Sequence, residues 1–172
     1  SATVPLRLTR RHNMGEVEVW STNGTPVDCV KLAVDELCGG RTPDLVIGGI
    51  NHGDNSSVNA HYSGTMGVAI EGALQGYPSI AFSLCDHRMD ADFTPLRPYL
   101  IDFMFKAIAI GLPPFTCLNV NFPRKEKFDG VKVCRMARSR WQNEVEERRH
   151  PYGSPYYWLV GECHELEPEA TD

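Results

Sequence analysis

The chain has 172 residues, room for one ordinary domain. Its 42% hydrophobic and 23% charged residues are ordinary for a globular protein and exclude disorder, collagen and coiled coil. A net charge of −5 speaks against a dedicated nucleic-acid binder, whose footprint is basic, and no apolar run approaches the ~20 residues of a membrane span.

Residues 4–9 and 16–21 alternate apolar and polar side chains and predict half-buried strands, with a polar hairpin connection at 10–15. Thr25-Pro26 starts a helix: Thr25 is an N-cap, Pro26 suits the first helical position, and Asp28 complements the dipole. Val27, Val30, Val34 and Leu37 recur at helical spacing, and Gly39-Gly40 stop it. Residues 45–50 form an apolar run without alternation, as in a parallel strand covered on both faces. A polar loop at 51–63 precedes a helix at 64–75, with Met66, Ala69, Ile70, Ala73 and Leu74 expected inward. Residues 79–84 predict a buried strand. Residues 93–110 predict a longer helix with a stripe of Leu96, Leu100, Phe103, Met104, Ala107 and Ile108. Strands are expected again at 116–122, 131–136 and 156–160, and the segment 137–155 reads as an arm leaving the body. Strands alternating with helices predict an α/β domain with a mainly parallel sheet and helices on its faces.

The six cysteines are scattered without a C-x-x-C spacing, so the expectation is reduced, mostly buried thiols in a cytoplasmic protein. In open α/β sheets, ligands gather beyond the carboxyl ends of the strands. The loop after Ile50 lies there, and the helix start at 62–65 would sit near it if both share one sheet edge. Asn51-His52-Gly53-Asp54-Asn55 offers hard oxygen donors suited to Mg²⁺ or Mn²⁺, though turn-rich loops have the same composition. Tyr62-Ser63-Gly64-Thr65 opens a helix, where free amides, the dipole and two hydroxyls suit an anion, or where Ser63 serves only as a cap. Ser63 is not in a nucleophile elbow, because His61 stands where that turn needs Gly. Asp86-His87 and Asp90-Ala91-Asp92 read as solvated loop residues. Arg135, Arg138, Arg140, Arg148 and Arg149 crowd a segment that also carries Trp141, Tyr156, Tyr157 and Trp158. Base stacking or a protein–protein interface could use such a surface, and the interleaved Glu144, Glu146 and Glu147 favour the protein interface.

Five ordered pieces resemble the SurE family of metal-dependent nucleotide phosphatases: Thr22-Asn23-Gly24-Thr25-Pro26-Val27-Asp28, Pro43 through Asn55, Tyr62 through Ala73, Leu118-Asn119-Val120-Asn121-Phe122-Pro123, and Tyr156-Tyr157-Trp158. The resemblance implies a Rossmann-like fold. It implies hydrolysis of nucleoside 5′- and 3′-monophosphates, and of short polyphosphate, with a divalent cation, Mg or Mn. Asn51 falls on the family's Asn metal ligand, and Ser63, Gly64 and Thr65 on its phosphate-facing segment. A homodimer or homotetramer is implied, with the aromatic-basic stretch as the extended arm. The family's Asn-Asp-Asp-Gly segment, with its two Asp ligands, has no counterpart here, and Ser1 or a neighbour falls near the family's Ser ligand. The expectation is one SurE-like domain over residues 1–172 lacking the N-terminal strand and the C-terminal end. The same residues would also suit a non-catalytic nucleotide- or phosphate-binding module, or an RNA-binding scaffold.

Overall fold

The computed structural model describes residues 3–167. The chain opens with a hairpin in which β1 (Leu8–Arg10) pairs antiparallel with β2 (Trp20–Thr22). The pairing continues past both strands, through Arg11 N–H to Val19 O (2.7 Å) and a Met14–Val17 bridge. The turn therefore lies at Gly15-Glu16, at the far end of the connection expected at 10–15.

Helix α1 (Pro26–Leu32) runs on into a π-helical turn (Ala33–Leu37). Its start is local chemistry. Thr25 Oγ1 accepts from Asp28 N–H (3.2 Å), and Asp28 Oδ2 accepts from Thr25 N–H (2.7 Å), a reciprocal capping box. The Thr25 backbone donor also holds the Asp28 carboxyl below its ordinary range.

Three parallel strands form the body in the order β3 (Val46–His52), β4 (Ser79–Cys85), β5 (Leu118–Pro123). Between β3 and β4 come a short helix α2 (Asn59–Tyr62) and helix α3 (Gly64–Leu74). Helix α4 (Arg97–Ile110), entered through a 3₁₀ turn (Thr94–Leu96), joins β4 to β5. The central strand decides the layering. Ile80, Phe82 and Leu84 of β4 pack with Leu96, Ala107 and Phe122, and Phe82 sits edge-on to Phe103 of α4. Ala81 points the other way, to Ala60, Met66 and Ala69. Helices thus cover both faces, as the alternation of elements predicts.

Helix α3 lies unusually close to the sheet. A Cβ on Gly72 would collide with Ser79 Oγ and lie 2.8 Å from Val46 Cβ. Around Gly72 its buried face is accordingly small, with Ala69, Gly72 and Ala73, while Met66 is buried one turn nearer the helix start. Ile70 and Leu74, expected inward, are exposed instead, because the close approach at Gly72 leaves little room beside it for large side chains. Ile108 of α4 is likewise on the outer face.

The strand expected at 131–136 does not form. Val131 and Val133 are exposed, and among the described residues no strand pairs with this segment. The arm is more regular than expected. β6 (Ser139–Gln142) pairs with β9 (Glu162–Glu165), and β7 (Val145–Arg149) with β8 (Pro155–Leu159), in one unbroken register. It is one long antiparallel hairpin, interrupted only at Asn143 (φ 52°) and Gly161 (φ 128°). At ~3.4 Å per residue its strands reach roughly 35 Å.

Candidate functional site at the carboxyl edge of the sheet

β3 is longer than the expected run and carries Asn51 and His52 to its end. Its register against β4 shifts between Gly48 and Asn51. This stretch lies directly under the start of α3. A Cβ on Gly48 would strike the Thr65 carbonyl oxygen and lie 3.2 Å from Val68 Cβ. Glycine there lets the helix end descend onto the strand.

The consequence is that two segments 14 residues apart meet. Thr65 Oγ1 donates to Asn51 Oδ1 at 3.4 Å, and Asn51 Nδ2 donates to Gly53 O at 2.9 Å. The second bond orients the amide so that its oxygen faces the helix start. Ser63 Oγ accepts from Met66 N–H (3.1 Å), and Gly67 N–H reaches Ser63 O (2.9 Å). The amides of Gly64 and Thr65 precede that first intrahelical bond, as free helix-start donors do. Asn51, Ser63, Gly64 and Thr65 thus stand together at one corner of the sheet. Ser1 lies outside the described residues.

Around this corner sits polar scaffolding that sequence reasoning missed. Asn55 is 4% exposed. Its Nδ2 donates to Ser83 Oγ (2.7 Å), its N–H to Asn121 Oδ1 (3.0 Å), and its carbonyl accepts from Asn119 Nδ2 (2.9 Å). Asn119 and Asn121 stand two apart on β5, so both amides fall on one face of the strand. Asp54 accepts from Ser56 N–H and Oγ and from Asn59 Nδ2 (2.8, 3.0 and 3.2 Å). Partial burial, with the Asp54 charge beside it, pushes the Cys85 thiol up to about 11, which favours the protonated form.

Asp86 is not a solvated loop residue. It is 5% exposed and paired with Arg88 (2.8 Å) and Arg124 (3.6 Å). The hydrogen bonds from Arg88 bring its carboxyl down to about 2. Asp90 is solvated as expected, and Asp92 caps Thr94 N–H (2.8 Å). His87 is exposed, but its ring covers Gly53. The six cysteines are all free thiols; none is buried, three being exposed and three half-buried, contrary to the expected burial.

In the arm, Arg148 pairs with Glu146 (2.7 Å), and at its base Arg135 and Arg138 pair with Glu167 (2.7 and 3.2 Å). These carboxylates neutralise much of what made the segment look basic. No helix among the described residues is long and apolar enough to cross a membrane.

Asn51 fits a hard divalent cation as one neutral oxygen ligand, because its Oδ1 is held only by one long bond. Among the described residues no three His, Cys, Asp or Glu side chains converge as a metal-binding group.

A family model described as Survival protein SurE matches residues 1–143. The 5′-nucleotidase SurE of Phocaeicola vulgatus is 50% identical over 168 residues, which is 98% of this chain and 65% of that protein. The 5′-nucleotidase SurE of Bacteroides thetaiotaomicron is 53% identical over 156 residues, covering 90% and 60% respectively. The crystal structure of the SurE protein from Aquifex aeolicus superimposes with a TM-score of 0.74 at 36% identity, over 93% of this chain and 64% of that one. The chain therefore spans slightly less than two-thirds of the length of these relatives. With a family model covering most of its length and relatives at half identity, the chain belongs to the SurE family.

Proposed function

We propose that the protein is a metal-dependent phosphomonoester hydrolase acting on nucleoside 5′- and 3′-monophosphates, with short polyphosphate as a further substrate class. The observation that carries this reading is the meeting of Asn51 Oδ1 with the Thr65 hydroxyl at the start of α3. A cation ligand and an anion-binding helix end then serve one phosphate. Relatives at 50 and 53% identity are 5′-nucleotidases by name.

In this reading Asn51 is one ligand of Mg²⁺ or Mn²⁺. Ser63, Gly64 and Thr65 hold the non-bridging phosphoryl oxygens through the first-turn amides, and through the Thr65 hydroxyl once it turns from Asn51 Oδ1 to the phosphate. A bound divalent cation polarises the phosphoryl group and activates water. The Asn51 amide is fixed by Gly53 O before substrate arrives, so its oxygen needs no reorientation on binding. Domain extent follows the same reading: residues 1–172 are one SurE-like domain.

The arm supports a homodimer or homotetramer. Every residue of β7 and β8 is exposed, including Val145, Tyr156, Tyr157, Trp158 and Leu159. A two-stranded hairpin is marginal alone in water, so an apolar partner surface suits it. Six free thiols suit a cytoplasmic location.

The test is phosphate release from a nucleoside monophosphate by the full-length protein. Release should depend on added Mn²⁺ or Mg²⁺, and Asn51→Ala should lower it roughly 100-fold or more. An Asn51→Ala protein with full activity overturns the metal assignment. Calorimetry that finds nucleotide binding without turnover would favour a binding module instead.

A further inference from the structure

We infer that the root of the arm positions the phosphate-facing helix start, with Trp141 as the positioning residue; this rests on the function proposed above. The segment that runs from the end of β3 to α3 has Asn51 at one end and Ser63 at the other. Its middle is held from outside by the arm. Trp141 Nε1 donates to Asn59 Oδ1 at 3.0 Å. Ser57 Oγ donates to Ala137 O (2.9 Å), its contact with Ser139 Oγ is 2.7 Å, and Val58 N–H reaches Ser139 Oγ at 3.3 Å. These partners are about 80 residues apart in sequence, so the contact is tertiary and not a turn.

The clamp has a definite mechanical line. The Asn59 amide is engaged at both ends, since its Nδ2 donates to Asp54 Oδ2 (3.2 Å) while its oxygen takes the Trp141 proton. Asp54 in turn holds Ser56. Ser57 adopts φ 53°, the left-handed region a serine avoids without support, and its hydroxyl is where the support attaches. Asn59 is the first residue of α2, and Ser63 follows its last. Ala60 is buried against Met66, Ala69 and Ala81, which anchors α2 to the start of α3 and to the sheet. Displacement at Asn59 passes along one helical turn to Ser63, Gly64 and Thr65. Trp141 touches none of the reacting groups, and its effect on them is purely geometric.

Trp141→Phe keeps an aromatic ring at the position but removes the N–H together with the five-membered half of the indole. In the full-length protein with Mn²⁺ and a nucleoside 5′-monophosphate, kcat should fall about tenfold while KM changes less than about twofold. Amide exchange of residues 58–63 should quicken while that of β4 stays unchanged. Ser139→Ala removes the second clamp with little change of volume and should act in the same direction. It also serves if Trp141→Phe fails to fold. A lowered melting temperature with unchanged kcat in either folded variant overturns the inference, because the contact would then be structural only. If the wild-type protein releases no phosphate, the proposed function fails on its own account. The coupling is then read from exchange at residues 58–63: unchanged exchange overturns it, and faster exchange sustains it.

Discussion

Strands β4 and β8 are both rich in apolar side chains, and the protein uses them in opposite ways. In β4 every residue from Ser79 to Leu84 is buried. In β8 every residue from Pro155 to Leu159 is exposed. The difference is in their neighbours. β4 has a strand on each edge and helices over both faces, whereas β8 has one partner strand and nothing over either face among the described residues. Hydropathy marks both as strands but does not say what covers them. The first builds the platform for the site, and the second offers a surface.

The largest expected effect tests that contrast directly. Phe82 is 1% exposed and touches Phe103 and Phe122. Phe82→Ala should cost about 3–5 kcal/mol in urea denaturation, by lost burial and the cavity left behind. Trp158 is 55% exposed, and Trp158→Ala should cost below about 1 kcal/mol at dilute protein concentration. Its effect should fall on self-association, read by light scattering. A Trp158→Ala cost equal to that of Phe82→Ala at high dilution would break the comparison, since the arm would then be packed within its own protomer.

A smaller effect is expected where platform and site meet. Gly48→Ala places a Cβ against the Thr65 carbonyl and Val68. We expect about 1–3 kcal/mol of destabilisation, as for other overpacked cores. Phosphate release should fall more than stability would predict, because the strain lifts the start of α3 away from Asn51. Normal kcat in a folded Gly48→Ala protein would show that the closeness of helix and strand does not matter to the chemistry.

What was legible in the sequence follows the same division. The capping box at Thr25 and Asp28, the buried run of β4 and the cap at Ser63 are local, and the residues announce them. The pairing of Asn51 with the helix start was legible only through the ordered family motifs, since loop composition alone left it open. The Asn55 network was not legible, because its partners lie 28, 64 and 66 residues away and only the sheet brings them together. The failed strand at 131–136 had the right pattern and no partner. Ile70 and Leu74 were misread because helix periodicity ranks residues by hydropathy, while the close approach at Gly72 selects them by size.

The smallest effect compares two carboxylates at the same sequence spacing from an arginine. Asp86 pairs with Arg88, and Glu146 with Arg148, each two residues onward. Asp86 sits at the edge of the site, 5% exposed, and Arg124 adds to its field. Its carboxyl is lowered from 3.8 to about 2. Glu146 is also lowered, chiefly by its bond from Arg148, but it stands in the arm, where water screens the pair. A depressed carboxylate stabilises the fold fully above its unfolded pKa, and that contribution is lost as pH falls through the folded one. For Asp86 the window runs from about 3.8 down to about 2. The stability difference between wild type and Asp86→Asn should therefore be constant at neutral pH and shrink across that window. Glu146→Gln should differ little from wild type at any pH. A difference for Asp86→Asn that persists unchanged below the window would mean that packing, and not charge, holds Asp86 in place.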